Sequence, residues 1–128
     1  MKLKSLLTAL ILGAAIVAGA GAHATQRAPV TSVVDPDQEK LAEHNLDVGR
    51  QYFKRKAYAG AKDRLEEILA AYPEYTKIDE VYFTLGQCYL KLKETGHARE
   101  VFRKIVDERP DSPFAKKAHE ELDKLPKS

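Results

Sequence analysis

The chain has 128 residues, with 21 Lys and Arg against 19 Asp and Glu, four His, one Cys and no Trp. Lys2 and Lys4 supply the whole excess of positive charge, so the rest is neutral and offers no net basic face for nucleic acid. A single cysteine, Cys88, excludes an intramolecular disulfide.

Lys2 and Lys4 precede an almost wholly apolar run, Leu6 to Ala18. Ala22-His23-Ala24 then offers small residues at the spacing signal peptidase requires, which predicts an export signal over residues 1–24 with cleavage after Ala24. The alternative is an uncleaved anchor: Leu6 to Ala22 is somewhat shorter than the roughly 20 residues of a spanning helix. No cysteine follows the run, so no lipid acceptor is expected there. Thr25 to Val34 has no period and contains a proline, and residues 25–35 are expected to form a flexible linker.

A helical repeat domain is expected over 36–126. Asp35 can cap its first helix, Pro36 suits the first turn, and Gln38 can close a capping box. Leu41, Ala42, Leu46, Val48, Gly49, Tyr52 and Phe53 recur at helical spacing, carrying this helix to about Arg55. Lys56-Ala57-Tyr58 turns the chain into a second helix, Tyr58 to Ala71, stopped near Pro73. A third is predicted over Lys77 to Lys93, and a fourth over Thr95 to Glu108, ended by Pro110. A fifth begins at Asp111-Ser112-Pro113 and stops at Pro126. No segment alternates as a strand would. Cys88 reads as a small buried hydrophobe beside Tyr89, with pairing to another molecule as the alternative.

Gly49 and Gly86, Tyr52 and Tyr89, Ala61 and Ala98, Pro73 and Pro110 each lie 37 positions apart. Val48 and Leu85, Leu65 and Phe102, Ile68 and Ile105, Leu69 and Val106 share that offset. A constant period means one supersecondary unit used twice and stacked. A mid-helix glycine costs about 1 kcal/mol relative to alanine, so two in one register predict close helix approach, with Ala61 and Ala98 as the matching small surface. Tyr52 and Tyr89 suit the seam between hairpins. Ala118 and Leu122 continue the pattern, but Asp123 and Pro126 break it, which predicts a polar-faced capping helix. The expected class is all-α: an antiparallel helix-hairpin solenoid of two repeats plus a C-terminal cap.

These residues resemble the tetratricopeptide repeat. Val48-Gly49, Tyr52, Ala61, Leu65 and Pro73 fit one unit, and Tyr82, Leu85-Gly86, Tyr89, Ala98, Phe102 and Pro110 fit a second. The usual unit of about 34 residues is exceeded here at Thr76-Lys77-Ile78, and Ile68 and Ile105 replace a small residue late in the second helix. Both departures, with Tyr58 to Leu65, Ala71 to Tyr75 and Val101 to Val106, are similar to the outer-membrane assembly lipoproteins of the BamD (YfiO) type. The CpoB-type proteins of the Tol-Pal envelope machinery are a second exported relative. The resemblance implies a periplasmic scaffold, association with the outer membrane, and a partner protein or peptide held on the concave face.

In such stacks the first helices line the inner curve. By that register Leu46, Arg50, Phe53 and Lys54 face it from the first unit, and Phe83, Gln87, Leu90 and Lys91 from the second. Lys117, Glu120 and Lys124 extend it from the cap. Aromatic anchors among cations suit an extended peptide with an acidic residue or a free C-terminus. The alternative is that Phe53 and Leu90 pack on neighbouring helices while the lysines are solvated. The chaperone-type carboxylate clamp is not expected, because Leu46 and Arg50 stand where it needs lysine and asparagine. Lys54-Arg55-Lys56 reads first as a complement to a helix dipole.

No catalytic constellation is visible. His44, His97 and His119 lack companions at ligand spacing, so no metal or other cofactor is expected. Glu66-Glu67 and Glu120-Glu121 lie among basic residues as solvated faces, and Ser32 and Ser112 have no activating base. The expectation is a non-enzymatic envelope scaffold with no nucleic-acid partner. Self-association, or a structural role in a larger repeat assembly, is its rival. Membrane contact is expected only through a partner or an uncleaved signal.

Overall fold

A computed structural model of the chain describes residues 34–127. The expected export signal and most of the expected linker lie outside the described residues. Five helices follow in order: α1 (Pro36–Lys54), α2 (Tyr58–Ala71), α3 (Ile78–Lys91), α4 (Thr95–Glu108) and α5 (Ala115–Lys124). No strand occurs among the described residues. Helices α1 and α2 pack as one antiparallel hairpin and α3 and α4 as a second; α2 packs on α3, and α5 closes against α4. The all-α hairpin repeat is therefore the observed architecture.

The termini follow local chemistry. Asp35 accepts from the Asp37 N–H at 3.0 Å, satisfying an orphan donor at the second helical position. Helix α5 begins at Ala115, later than the cap sequence at Asp111 predicts. The Ser112 Oγ accepts from the Phe114 N–H at 3.1 Å and its hydroxyl donates to Asp79. Ser112 thus holds a turn against α3, and the helix proper starts after it.

The period reappears as repeated packing. A Cβ on Gly49 would stand 3.2 Å from Leu65 Cδ2, and one on Gly86 would stand 2.5 Å from Phe102 Cε1. Leu65 and Phe102 are the same register position one repeat apart, and both are fully buried. Each glycine thus receives the large side chain of its hairpin partner; Ala61 and Ala98 are buried but are not what the glycines accommodate most closely. Tyr89 spans the seam, its hydroxyl donating to Glu66 of α2 at 2.6 Å. Cys88 is fully buried, and burial pushes its thiol up to about 11, as befits an inert packing residue.

The residues that lengthen the repeat fold back onto α1. Tyr75 is 2% exposed and its hydroxyl donates to Glu43. Thr76 donates to Glu39 through its hydroxyl and its N–H, and Lys77 Nζ reaches Glu43 at 2.8 Å. Hydrogen bonds from Lys77 and Tyr75 hold the Glu43 carboxyl below its usual value of 4.5. The α2–α3 linker is thereby latched to the first turns of the helix two elements earlier.

Two outcomes follow. Gly86→Ala should destabilise the fold by roughly 1–3 kcal/mol, because the Phe102 ring must move in a packed core. Gly49→Ala meets Leu65 less closely, at 3.2 Å from Cδ2 and 3.4 Å from Cγ, and should come out near neutral in a urea titration of both variants. Glu43 contributes stability that is present above pH 4.5 and lost as the pH falls through its lowered folded value. Glu43→Gln should remove that acid-side dependence, worth less than about 1 kcal/mol at this partly exposed site; superimposable pH profiles for the two chains would refute the latch.

Candidate partner-binding groove

Helices α1 and α3 end alike. The Lys56 N–H donates to the Phe53 carbonyl and the Ala57 N–H to the Tyr52 carbonyl, both at 2.9 Å. One repeat later the Lys93 N–H donates to Leu90 at 3.2 Å and the Glu94 N–H to Tyr89 at 2.8 Å. This double bond pattern is a Schellman closure, which needs a left-handed residue after the helix. Lys56 and Lys93 fill that place with φ of 61° and 66°. A side chain there costs about 1–2 kcal/mol relative to glycine, yet a lysine stands in both copies.

The second closure brings Lys93 to a groove of about 380 Å³, lined by Phe53, Gln87, Leu90, Lys91, Lys93 and Glu121. Phe53 and Leu90 are partly buried and share a register position one repeat apart. The Phe53 ring meets Tyr58 edge-on, with centroids 5.3 Å apart, and Lys91 Nζ stands 6.0 Å from the Tyr58 centroid. The one carboxylate of the lining, Glu121, is held by Lys124 at 2.8 Å. The groove thus joins an apolar floor to two lysines.

Four of the eight residues expected on the inner face come together here: Phe53, Gln87, Leu90 and Lys91. Leu46 and Phe83 do not belong to a partner surface, which corrects the expectation. Leu46 is fully buried; Phe83 is 9% exposed, its ring 5.7 Å from Phe102 and 5.4 Å from Phe114. Both sit at one register position, aimed at packing within the stack rather than at solvent.

Arg50 is engaged elsewhere. Its Nε donates to Glu80 at 3.0 Å and its Nη1 to Asp47 at 2.7 Å, tying α1 to α3. Burial pulls the Arg50 pKa down, and the bonds to Glu80 and Asp47 more than restore it, so the net direction is up. Lys54 is exposed beside the groove without lining it. From the cap, Glu121 lines the groove where Glu120 was expected, and Lys117 lies over the Phe114 ring at 5.5 Å. Lys93 and Glu121 escaped the sequence reading. The offset of 37 between Lys56 and Lys93 could have marked the first, whereas Glu121 depends on how α5 docks.

Among the described residues no group of three or more His, Cys, Asp or Glu side chains is placed to hold a metal ion, and no helix is long and apolar enough to cross a membrane.

Comparison with known proteins adds a family. The model of the family described as "YfiO: Outer membrane lipoprotein" matches residues 28–101, more than half of the chain. The outer membrane protein assembly factor BamD of Haemophilus influenzae is 32% identical over 78 residues, which is 61% of this chain and 29% of that protein. BamD of Neisseria meningitidis serogroup B is 31% identical over 78 residues, with the same coverage of each chain. BamD of Neisseria gonorrhoeae is 30% identical over 76 residues, 59% of this chain and 28% of that protein. The chain therefore spans under a third of the length of these relatives.

The rim geometry has a measurable consequence. Lys93→Gly should raise stability by about 1 kcal/mol by relieving the left-handed strain, whereas Lys93→Ala should not. Equal urea midpoints for the two variants would contradict the strained closure.

Proposed function

The chain belongs to the YfiO family of outer membrane lipoproteins, and from that premise we propose that it is a non-enzymatic binding module of outer-membrane protein assembly. The relatives' name, outer membrane protein assembly factor, supplies the process. The export signal over residues 1–24, with a linker over 25–35 and a repeat domain over 36–126, delivers it to the periplasm in this reading. There it works beside the outer membrane through a protein partner.

The groove supports the molecular role. Phe53 and Leu90 line the groove from equivalent places in two repeats, and Lys91 and Lys93 line it with them. An extended segment that buries an aromatic or aliphatic side chain and carries a carboxylate satisfies both features. The single observation that carries the proposal is this joining of four expected residues with a second cation, Lys93, in one cavity.

The test uses a fluorescent extended peptide with an aromatic residue and a free C-terminal carboxylate, titrated into the chain. Binding should saturate, weaken with salt, and fall about tenfold or more in Lys91→Glu plus Lys93→Glu, the loss of one charge-assisted contact. Both lysines are exposed, so the melting temperature should hold. Binding indifferent to the double change would overturn the assignment.

A further inference from the structure

A second surface follows from the repeat itself. Ile78, Leu85 and Tyr89 fall at i, i+7 and i+11 on one side of α3, and Tyr89 reaches Glu66 of α2 from that side. They are 2%, 1% and 9% exposed. Their register equivalents on α1 are Leu41, Val48 and Tyr52. Leu41 is 53% exposed, and Val48 and Tyr52 are only partly buried. Helix α1 thus carries the accepting half of the seam that α3 fills with α2, and among the described residues no helix fills that half. Beside it a shallow groove of about 240 Å³ is lined by Tyr52, Gly60, Asp63, Arg64 and Glu67.

The repeat also says what fits there. Seen from α3, the occupant is a helix with an apolar stripe and a carboxylate aimed at the tyrosine hydroxyl. In the register of α2, residues 21–34 of this chain carry Pro29 where Glu66 stands, Ala28 for Leu65 and Thr31 for Ile68, so that segment lacks the pattern. In a second copy α2 is already packed on α3, and α4 is covered by α5. We infer that the open face of α1 is a docking site for an amphipathic helix of a different, helical partner, which continues the solenoid by presenting an apolar stripe and an acidic residue opposite Tyr52. This surface is distinct from the Phe53–Leu90 groove, and its test does not depend on peptide binding there.

A synthetic α2 helix serves as the probe: residues 57–75 capped at both ends and stapled on the face that α2 turns to solvent. It is titrated into the full chain, labelled with nitrogen-15. Saturable amide shifts centred on Leu41, Val48 and Tyr52 are expected, reached by millimolar peptide. A Glu66→Gln peptide should bind about tenfold more weakly, the loss of one hydrogen bond to a charged group. Leu41→Asp should abolish the shifts with the melting temperature unchanged, because Leu41 is 53% exposed. No shifts, or shifts at the Phe53–Leu90 groove, would overturn it. So would a marked loss of stability in the Leu41→Asp chain, which would mean that residues 1–33 already cover the face. Concentration-dependent shifts of the same amides without peptide would overturn it as well, by making a second copy the occupant.

Discussion

One steric relation underlies the molecule: a glycine in the first helix of each hairpin receives the largest core side chain of the second. Leu65 lies against Gly49, and Phe102 presses closer still against Gly86. The helix gives up about 1 kcal/mol of propensity at each glycine and gains a fully buried Leu or Phe, worth roughly 1.5–3 kcal/mol. That exchange explains why glycine stands mid-helix twice in one register. It also sets hairpin spacing, which determines where Phe53 and Leu90 stand one turn further along the same helices.

A second set of interactions joins hairpin to hairpin, and it is polar. The α2–α3 linker hangs on Glu39 and Glu43 of α1, Arg50 ties α1 to Glu80, Tyr89 bonds Glu66, and Ser112 bonds Asp79. These bonds sit at the edge of the core, where each adds little energy but fixes register. Tyr75 and Tyr89 are shifted upward, first by burial and then by their carboxylate partners, so both remain neutral donors at any physiological pH. The stack is held by apolar interlock and oriented by these hydrogen bonds.

The fold was legible because the period is exact and the breakers are prolines. Gly49, Gly86, Tyr52, Tyr89, Pro73 and Pro110 marked the same places in both copies, and helix limits followed within a few residues. The site was legible only in part. Phe53, Gln87, Leu90 and Lys91 were placed by register, which is a local property. Leu46 and Phe83 were misplaced because period alone does not say which inner-face position is covered by the next hairpin. Arg50 was read as a free cation because its partner, Glu80, is 30 residues away. Thr76-Lys77-Ile78 looked like surplus length; Thr76 and Lys77, with Tyr75 beside them, form the latch, and Ile78 enters the core.

The central claim is that two interlocked copies of one hairpin form a stack whose first helix has a side that no other described residue covers as α2 covers α3. Residue-resolved native-state hydrogen exchange reads this directly. Helix α3 is packed on both sides, by α2 and by α4, while α1 is packed chiefly by α2. The account predicts the slowest exchange at the amides of Leu85 to Tyr89, with Val48 to Tyr52 opening at a clearly lower free energy. Equal protection of the two segments, or fast exchange at Gly86, would contradict it.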